Sequence, residues 1–466
     1  MASIILAGAS VRSLAESALA AGFDPVCVDL FGDADLPAAG TDQGFRLRHC
    51  RIDDFADLPR VLTGFDRRLP MIWSGGLENH PDLLAEIAAA RPVAGPDAES
   101  LRRVRNPLEL CRVLTEAGCD VPAVRTAGEF GAGLQADEWL IKPLRGAGGI
   151  GIRRLGDSPQ PNRKRPTGTS DCYLQQFVEG IPISAMFWAT DAGTSLVGTC
   201  LQLAGESAFG ATGFQFCGNF GPLNPDDDLH VQIMRCGDEI AKSFAVQGCF
   251  GVDFVVRNSR AFFIEVNPRI TASHEIPEFC RSPDWNTIDA QLRAFDLLPP
   301  KHDDHKTAQA SVGRVWSGGA ICRMVLYAAR DVVVTAERSN QMLALTRPPR
   351  GLAQTIRLEP TDGDATDDAL LRVWLADIPA PSTVPAGAPF VSVYAQKLPM
   401  AFGNQSDLPN AATFEPLLRD VCGNQNFRIG EQFRRFEELP EISQTDNILS
   451  LRRASVPWRN LSYDPS

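Results

Sequence analysis

Hydrophobic positions along the chain shift between a period of two and a period near 3.6, and each shift marks an element. SIILAGA (3–9) is a short β-type run, SVRSLAESALAAG (10–22) has helical spacing closed by Gly22, and PVCVDLF (25–31) is a second strand that carries Asp29. MIWSGG (71–76) repeats the strand signal and leads into the helical LENHPDLLAEIAAA (77–90). Strands that alternate with helices predict an α/β fold with a parallel sheet. In NPLELCRVLTEAGCDVPAV (106–124), Asn106 caps a helix, Pro107 takes its first position and Gly118 ends it.

From residue 139 the pattern changes. WLIKPLRGAGGIGIRRL (139–155) contains Gly146, Gly148 and Gly151 in G-x-G-x-x-G spacing. A dinucleotide turn must open a helix, whereas IGIRRLGDSPQP alternates briefly and runs into prolines. The stretch therefore reads as a glycine-rich loop between two antiparallel strands, free to fold over phosphates. The first turn, AGASVRS, has one glycine, so Asp29 is read as part of a scaffold and not of a ribose site. CYLQQFVEGIPISAMFWA (172–189) is β-rich with a Gly-Ile-Pro break, and DDLHVQIMRCGDEIAKSFAV (227–246) is a helix. CFGVDFVVRNSRAFFIEVNPR (249–269) is a hairpin turning at Asn258-Ser259. After about residue 300, AICRMVLYAARDVVVT (320–335) and LLRVWLADIPAPSTVPAGAPFVSVYAQ (370–396) are short strands between Pro/Gly turns. QPNRKRPTGTSD (160–171) and HDDH (302–305) read as solvated loops.

Bulk properties set limits on function. At 466 residues the chain is too long for one ordinary core, and roughly 150 residues per domain suggests about three. A net charge of −12 argues against a general nucleic-acid binder, which needs a basic face. The N-terminal run lacks a basic n-region and is broken by Arg12 and Glu16, so it is not read as a signal peptide, and no segment offers the ~18 apolar residues of a membrane helix. Twelve cysteines without any C-x-x-C predict reduced thiols and a cytoplasmic location.

Side chains alternate along the hairpin, so Asp253, Glu265 and Asn267 share a face, and Arg269 extends the line past Pro268. Two carboxylates and an amide suit Mg²⁺ completed by nucleotide phosphates, and the Arg269 fork suits a phosphoryl group.

The order WLIKPLRGAGGIGI, YLQQFVEG, FGVDFVV…FFIEVNPR resembles the ATP-grasp superfamily. GGLENHP, RRVRNP, FVEGIPISA, EVNPRITAS and ADIPAPSTVPAG are similar to ATP-dependent carboligases related to biotin carboxylase, in a subgroup linked to tetrahydromethanopterin and methanofuran one-carbon metabolism. The resemblance runs to about residue 400. It implies an α/β (α+β) chain with a Rossmann-like domain (1–98), a two-lobed ATP-grasp domain (99–300), a small β-rich domain (301–400) and an irregular tail (401–466).

By the same resemblance Lys142 contacts the α/β-phosphates, and the loop with Gly146, Gly148, Gly149 and Gly151 closes over them. The backbone of Gln175, Gln176, Phe177 and Val178 meets adenine. Asp253, Glu265 and Asn267 hold Mg²⁺, or Mn²⁺ in its place, and Arg269 neutralises the transferring phosphoryl group. Two positions depart from the family pattern. A lysine usual at the helix start is Pro107 here, with Arg105 the nearest cation, and the usual ribose acid falls at Pro182, so either Glu179 serves or nothing does. Asn219, in ATGFQFCGNFGPL (211–223), and Ser273, in TASHE (271–275), are the acceptor-site candidates, with packing as the alternative. The implied activity is an ADP-forming carboxylate–amine ligase for small molecules, joining glutamate or a similar amino acid to a one-carbon carrier precursor. No nucleic acid or membrane is expected as a partner, and a homodimer is left open. Two rivals are an oxidoreductase using the glycine motif literally and a nucleotide-binding sensor or assembly protein of the same fold.

Overall fold

The computed structural model describes residues 2–36, 47–129, 134–157, 171–280, 285–298, 320–344, 346, 355–357 and 370–397. The chain divides into two compact units, 1–408 and 409–466, and every described residue lies in the first. The 302–305 loop, most of the 160–171 loop and the expected tail lie outside the described residues.

The N-terminal alternation yields strands β1 (Ser3–Gly8), β2 (Asp24–Asp29), β3 (Arg48–Arg51), β4 (Met71–Trp73) and β5 (Val93–Ala94), all parallel, in the order β3-β2-β1-β4-β5. Helix α1 (Arg12–Ala20) ends just before Gly22, whose φ of 86° only glycine adopts without strain. Helices α2 (Leu58–Leu62), α3 (Pro81–Ala90) and α4 (Ala98–Val104) complete this layer. Asp29 is fully buried and accepts from Gly32 N at 3.1 Å, with His49 Nε2 at 2.9 Å, so its carboxylate serves the scaffold.

Helix α5 (Pro107–Glu116) starts as the sequence predicts. The Asn106 side chain accepts from the amides of Leu108 and Glu109, with Pro107 behind it. A small antiparallel sheet follows, in the order β6 (Val124–Thr126), β9 (Cys172–Gln176), β7 (Trp139–Pro143), β8 (Arg153–Arg154). The glycine loop joins β7 to β8, which pair antiparallel.

The large lobe is built on β10 (Ile181–Thr190), β11 (Gly193–Ala204), β12 (Phe216–Leu223), β13 (Gly248–Arg257) and β14 (Arg260–Asn267), backed by α6 (Asp227–Phe244). Asn258 and Ser259 both take positive φ, 51° and 57°, the geometry that matches a two-residue turn to the strand twist. Helices α7 (Glu275–Cys280) and α8 (Thr287–Ala294) follow β14.

Most of the described strands after residue 320 join the large-lobe sheet. β15 (Ala320–Tyr327), β17 (Thr355–Arg357), β18 (Leu370–Ala376) and β20 (Pro389–Lys397) extend the large-lobe sheet to nine strands, β14-β13-β10-β11-β12-β15-β20-β18-β17. Only β16 (Val332–Val334) and β19 (Ser382–Val384) pair separately, beside helix α9 (Ala336–Leu343).

Two apolar clusters fix the layers. Val104, Leu110 and Leu114 pack with Phe187, Ile240, Phe250 and Phe263, which seats α4 and α5 on the large sheet. Ile4, Leu6 and Leu14 pack with Met186, Val197 and Ile288, which seats the N-terminal layer on the same sheet. A buried polar network adds to the second contact. Arg12 reaches Asp377 at 2.8 Å, Glu16 at 2.9 Å, Tyr394 at 2.9 Å and Glu275 at 3.1 Å, and Arg323 reaches Asp377 at 2.8 Å and Glu275 at 3.3 Å. Burial works against the charge of Arg12, yet Asp377, Tyr394 and Glu275 hold its pKa raised.

Candidate active site

Register decides which side chains meet. On β7 and β9, Lys142 pairs with Tyr173 and Leu140 with Gln175, so Tyr173 and Gln175 lie on the face of the lysine while Gln176 points away. Lys142 is buried, and its Nζ donates to Gln175 Oε1 at 3.1 Å and lies 3.5 Å from Glu265 Oε2 on β14. Gln175 Nε2 donates onward to the carbonyl of Ile264 at 3.1 Å, so one amide ties the lysine to the carboxylate strand. Burial lowers the pKa of Lys142, but Tyr173 and Glu265 more than offset it and the net shift is upward, so the ammonium persists. The roles of Tyr173 and of the Gln175 side chain escaped the sequence reading; the alternation of β9 was the signal available for both.

Asp253 and Glu265 are direct cross-strand partners, with Gly251 opposite Asn267. Asn267 Nδ2 donates to Asp253 Oδ2 at 3.3 Å, and Asp253 Oδ1 is buried without a hydrogen-bond partner among the described residues. Burial first, and then Glu265, push the Asp253 carboxyl up to about 6. Two facing carboxylates, one with an orphaned oxygen, fit a hard cation whose remaining ligands come from phosphates or water. No group of three or more His, Cys, Asp or Glu side chains is gathered to hold a metal among the described residues, so such a cation depends on the amide and on a nucleotide.

Arg269 lies on the far side of Asn267. Its Nε donates to Glu78 Oε1 at 2.8 Å and its Nη2 to Asn267 Oδ1 at 3.4 Å. Glu78, in GGLENHP, is itself buried, and its Oε2 has no hydrogen-bond partner among the described residues. Arg105 Nη2 donates to Asn79 Oδ1 at 2.9 Å and to the carbonyl of Leu144 at 3.2 Å.

The glycine loop is folded down. Gly148, Gly149 and Gly151 have φ of 61°, 73° and 85°, and Gly148 O accepts from Phe216 N at 2.9 Å. A Cβ on Gly149 would sit 1.8 Å from Phe214 O, so only glycine permits this approach. Arg105, Lys142, Gly146, Gly149, Gln175 and Glu265 line one cleft of about 70 Å³, below the ~300–1,000 Å³ of ligand pockets. The loop must lift to admit a ligand of ordinary small-molecule size.

At the lobe junction, the amides of Gln176 and Phe177 donate to Ala123 O at 2.8 Å and Glu138 O at 2.7 Å. The amides of Val178 and Glu179 have no backbone partner among the described residues. Asn219 is buried and donates to Cys200 Sγ at 3.4 Å, and Ser273 is buried with Thr271 Oγ1 at 2.7 Å; neither lines this cleft.

Residues 104–273 match the family model described as an ATP-grasp domain. The matched segment holds the glycine loop, Lys142 and the hairpin that carries Asp253 and Glu265. The chain is similar to the carbamoyl phosphate synthase large chain of Kocuria rhizophila, 27% identical over 47% of this chain and 22% of that one. It spans between about a fifth and a third of the length of the curated relatives it matches. Among solved structures it shares a fold with the biotin carboxylase domain of Hydrogenobacter thermophilus 2-oxoglutarate carboxylase, a dimer in complex with MgADP and bicarbonate (TM-score 0.58, 10% identity, 93% of this chain and 95% of that one). It also shares one with the L-amino acid ligase of Bacillus licheniformis (TM-score 0.55, 12% identity, 91% and 97%).

Proposed function

We propose that the protein is an ATP-dependent, ADP-forming carboxylate–amine ligase. The observation that carries this reading is the 3.5 Å approach of Lys142 to Glu265 in a cleft roofed by the glycine loop. Lys142 and Arg105 take the nucleotide phosphates, and the loop with Gly146, Gly148, Gly149 and Gly151 covers them. The adenine edge falls to the Gln175–Val178 backbone, where the Val178 amide is open, and Glu179 is the ribose candidate. Asp253, Glu265 and Asn267 would hold Mg²⁺, with Mn²⁺ suited to the same ligands. When bound, that ion neutralises phosphate charge and orients the γ-phosphoryl group.

The substrate carboxylate oxygen attacks the γ-phosphorus, the bond to the β–γ bridging oxygen breaks, and ADP leaves with its electron pair. The amine then attacks the acylphosphate carbon, loses a proton, and phosphate departs. Lys142 and Arg269 spread the charge that moves, so catalysis is positioning and electrostatics, and no enzyme nucleophile is required. Asn219 and Ser273 reach a substrate only if the buried segments around them rearrange.

The finer assignment, glutamate or a similar amino acid joined to a tetrahydromethanopterin- or methanofuran-type precursor in one-carbon metabolism, is supported by the motif phrases alone. A cytoplasmic setting is supported by the cysteine pattern, twelve in the sequence with no C-x-x-C among them. No helix among those residues is long and apolar enough to cross a membrane. A homodimer is supported by the dimeric Hydrogenobacter neighbour.

A second reading, a nucleotide-binding sensor or assembly protein, is favoured by the tight cleft and by the pairing of Arg269 with Glu78. Thermal shifts with ATP and ADP, with and without Mg²⁺, followed by ADP release from pairs of glutamate, tyrosine or tyramine with pterin precursors, separate the two. Glu265→Gln abolishes turnover in a ligase and changes little in a scaffold.

A further inference from the structure

A second cleft, about 570 Å³, opens where the N-terminal layer, the start of α5 and the small lobe converge. It shares Arg105, Pro107, Leu144 and Tyr173 with the nucleotide cleft, so whatever occupies it lies next to the phosphate end of that site. Its volume falls inside the range of small-molecule pockets.

Its charge is opposite to that of the chain. Three guanidiniums, Arg102, Arg105 and Arg145, line it against one carboxylate, Glu78, in a protein of net charge −12. Arg102 is paired with Asp82. Arg105 is held by two neutral acceptors, Asn79 Oδ1 and Leu144 O, which fix its direction and leave its charge uncompensated. Arg145 is exposed, and among the described residues no carboxylate pairs with it or with Arg105. Glu78 gives one oxygen to Arg269, and its other oxygen is buried and unpartnered among the described residues. A buried oxygen without a donor is costly unless something supplies one. Guanidinium forks match the two-oxygen edge of carboxylates and phosphates.

We propose that this cleft binds an anionic small molecule, a compound bearing a carboxylate or a phosphate, against Arg145, next to the Arg105 that the nucleotide phosphates share. Where this names the co-substrate class it rests on the ligase reading; the recognition of an anion does not.

The test is calorimetric titration of the full chain, saturated with MgADP, with inorganic phosphate in one arm and succinate in the other. At least one anion binds the wild type, and the arm that responds identifies the group. Arg145→Ala weakens that binding by about tenfold or more, and Arg145→Lys restores part of it, because a point charge replaces the fork. MgADP affinity stays within about twofold in both variants, as for separate sites. The proposal is overturned if neither anion binds beside MgADP, if anions bind only in its absence and so occupy the nucleotide's own phosphate positions, or if Arg145→Ala binds like the wild type. Should MgADP itself not bind, the ligase reading fails, and the same titration without nucleotide still decides on the cleft through Arg145→Ala.

Discussion

Lys142 on β7 and Glu265 on β14 face each other at 3.5 Å, one from the small sheet and one from the large. The cleft between them is therefore assembled only when the two lobes are together. Lys142→Ala removes the buried cation that the ligase reading assigns to phosphate and leaves Gln175 Oε1 without its donor. The expected result is a fall in ADP-release kcat of about 10²–10³-fold. A rate within a few fold of the wild type in coupled-enzyme assays would remove Lys142 from the chemistry.

Gly149→Ala tests the roof. The added Cβ meets Phe214 O and forces a left-handed backbone on alanine, so the loop stays lifted while the lobes remain folded. The thermal midpoint stays near that of the wild type, amide exchange in 144–152 accelerates, and turnover falls. An unchanged exchange rate there would mean that the loop does not close by this contact.

Chelation tests the ion. Excess EDTA abolishes the thermal shift given by ADP and leaves the midpoint of the free protein in place, because no described contact of the apo fold depends on a metal. Asp253→Asn reproduces that loss without chelator. Full nucleotide binding in EDTA would contradict the assigned ligands.

Arg12 tests the join between the N-terminal layer and the extended sheet. Its four partners lie within and far outside its own helix, up to 382 residues away. Arg12→Ala removes one of the two guanidiniums that hold Asp377 and Glu275 and leaves both carboxylates to Arg323, at a cost on the order of 1–3 kcal/mol. Urea denaturation reads the loss as a lower midpoint; an unchanged midpoint would show that the ion network contributes no net stability.

Asp35 supplies a pH signature. Burial pushes its carboxyl up to about 6, with Arg12 pulling it down and Asp377 adding to the rise. In the unfolded chain an aspartate titrates near ~3.9, so between the two values the folded protein binds more protons. Its contribution to stability therefore grows as pH falls through 6 and is complete below about 4, a change on the order of 3 kcal/mol. Asp35→Asn flattens the slope of unfolding free energy between pH 4 and 6. A mutant slope equal to that of the wild type would assign the effect elsewhere, Asp33 being raised in the same direction.

Much of this was legible because it is local. The cap at Asn106, the stop at Gly22, the turn at Asn258-Ser259 and the glycine loop each follow from a few neighbouring residues, and the face shared by Asp253, Glu265 and Asn267 follows from strand alternation. What escaped is long-range pairing. Nothing in GGLENHP specifies that Glu78 meets Arg269, 191 residues on. Nothing in FCGNFGPL specifies AICRMVLY as its neighbour, since alternation shows which face of a strand is buried but not which strand lies beside it. Asn219 is an acceptor-site candidate through the resemblance, yet strand pairing on both sides encloses it.

That pairing has a consequence for any shortened version of the chain. Phe216–Leu223 is an interior strand because Ala320–Tyr327 lies hydrogen-bonded along it. Ending the polypeptide before residue 320 would strip that side and leave a row of unsatisfied amides and carbonyls, an adhesive margin open to other copies. A minimal catalytic fragment cut there would precipitate before it could be assayed.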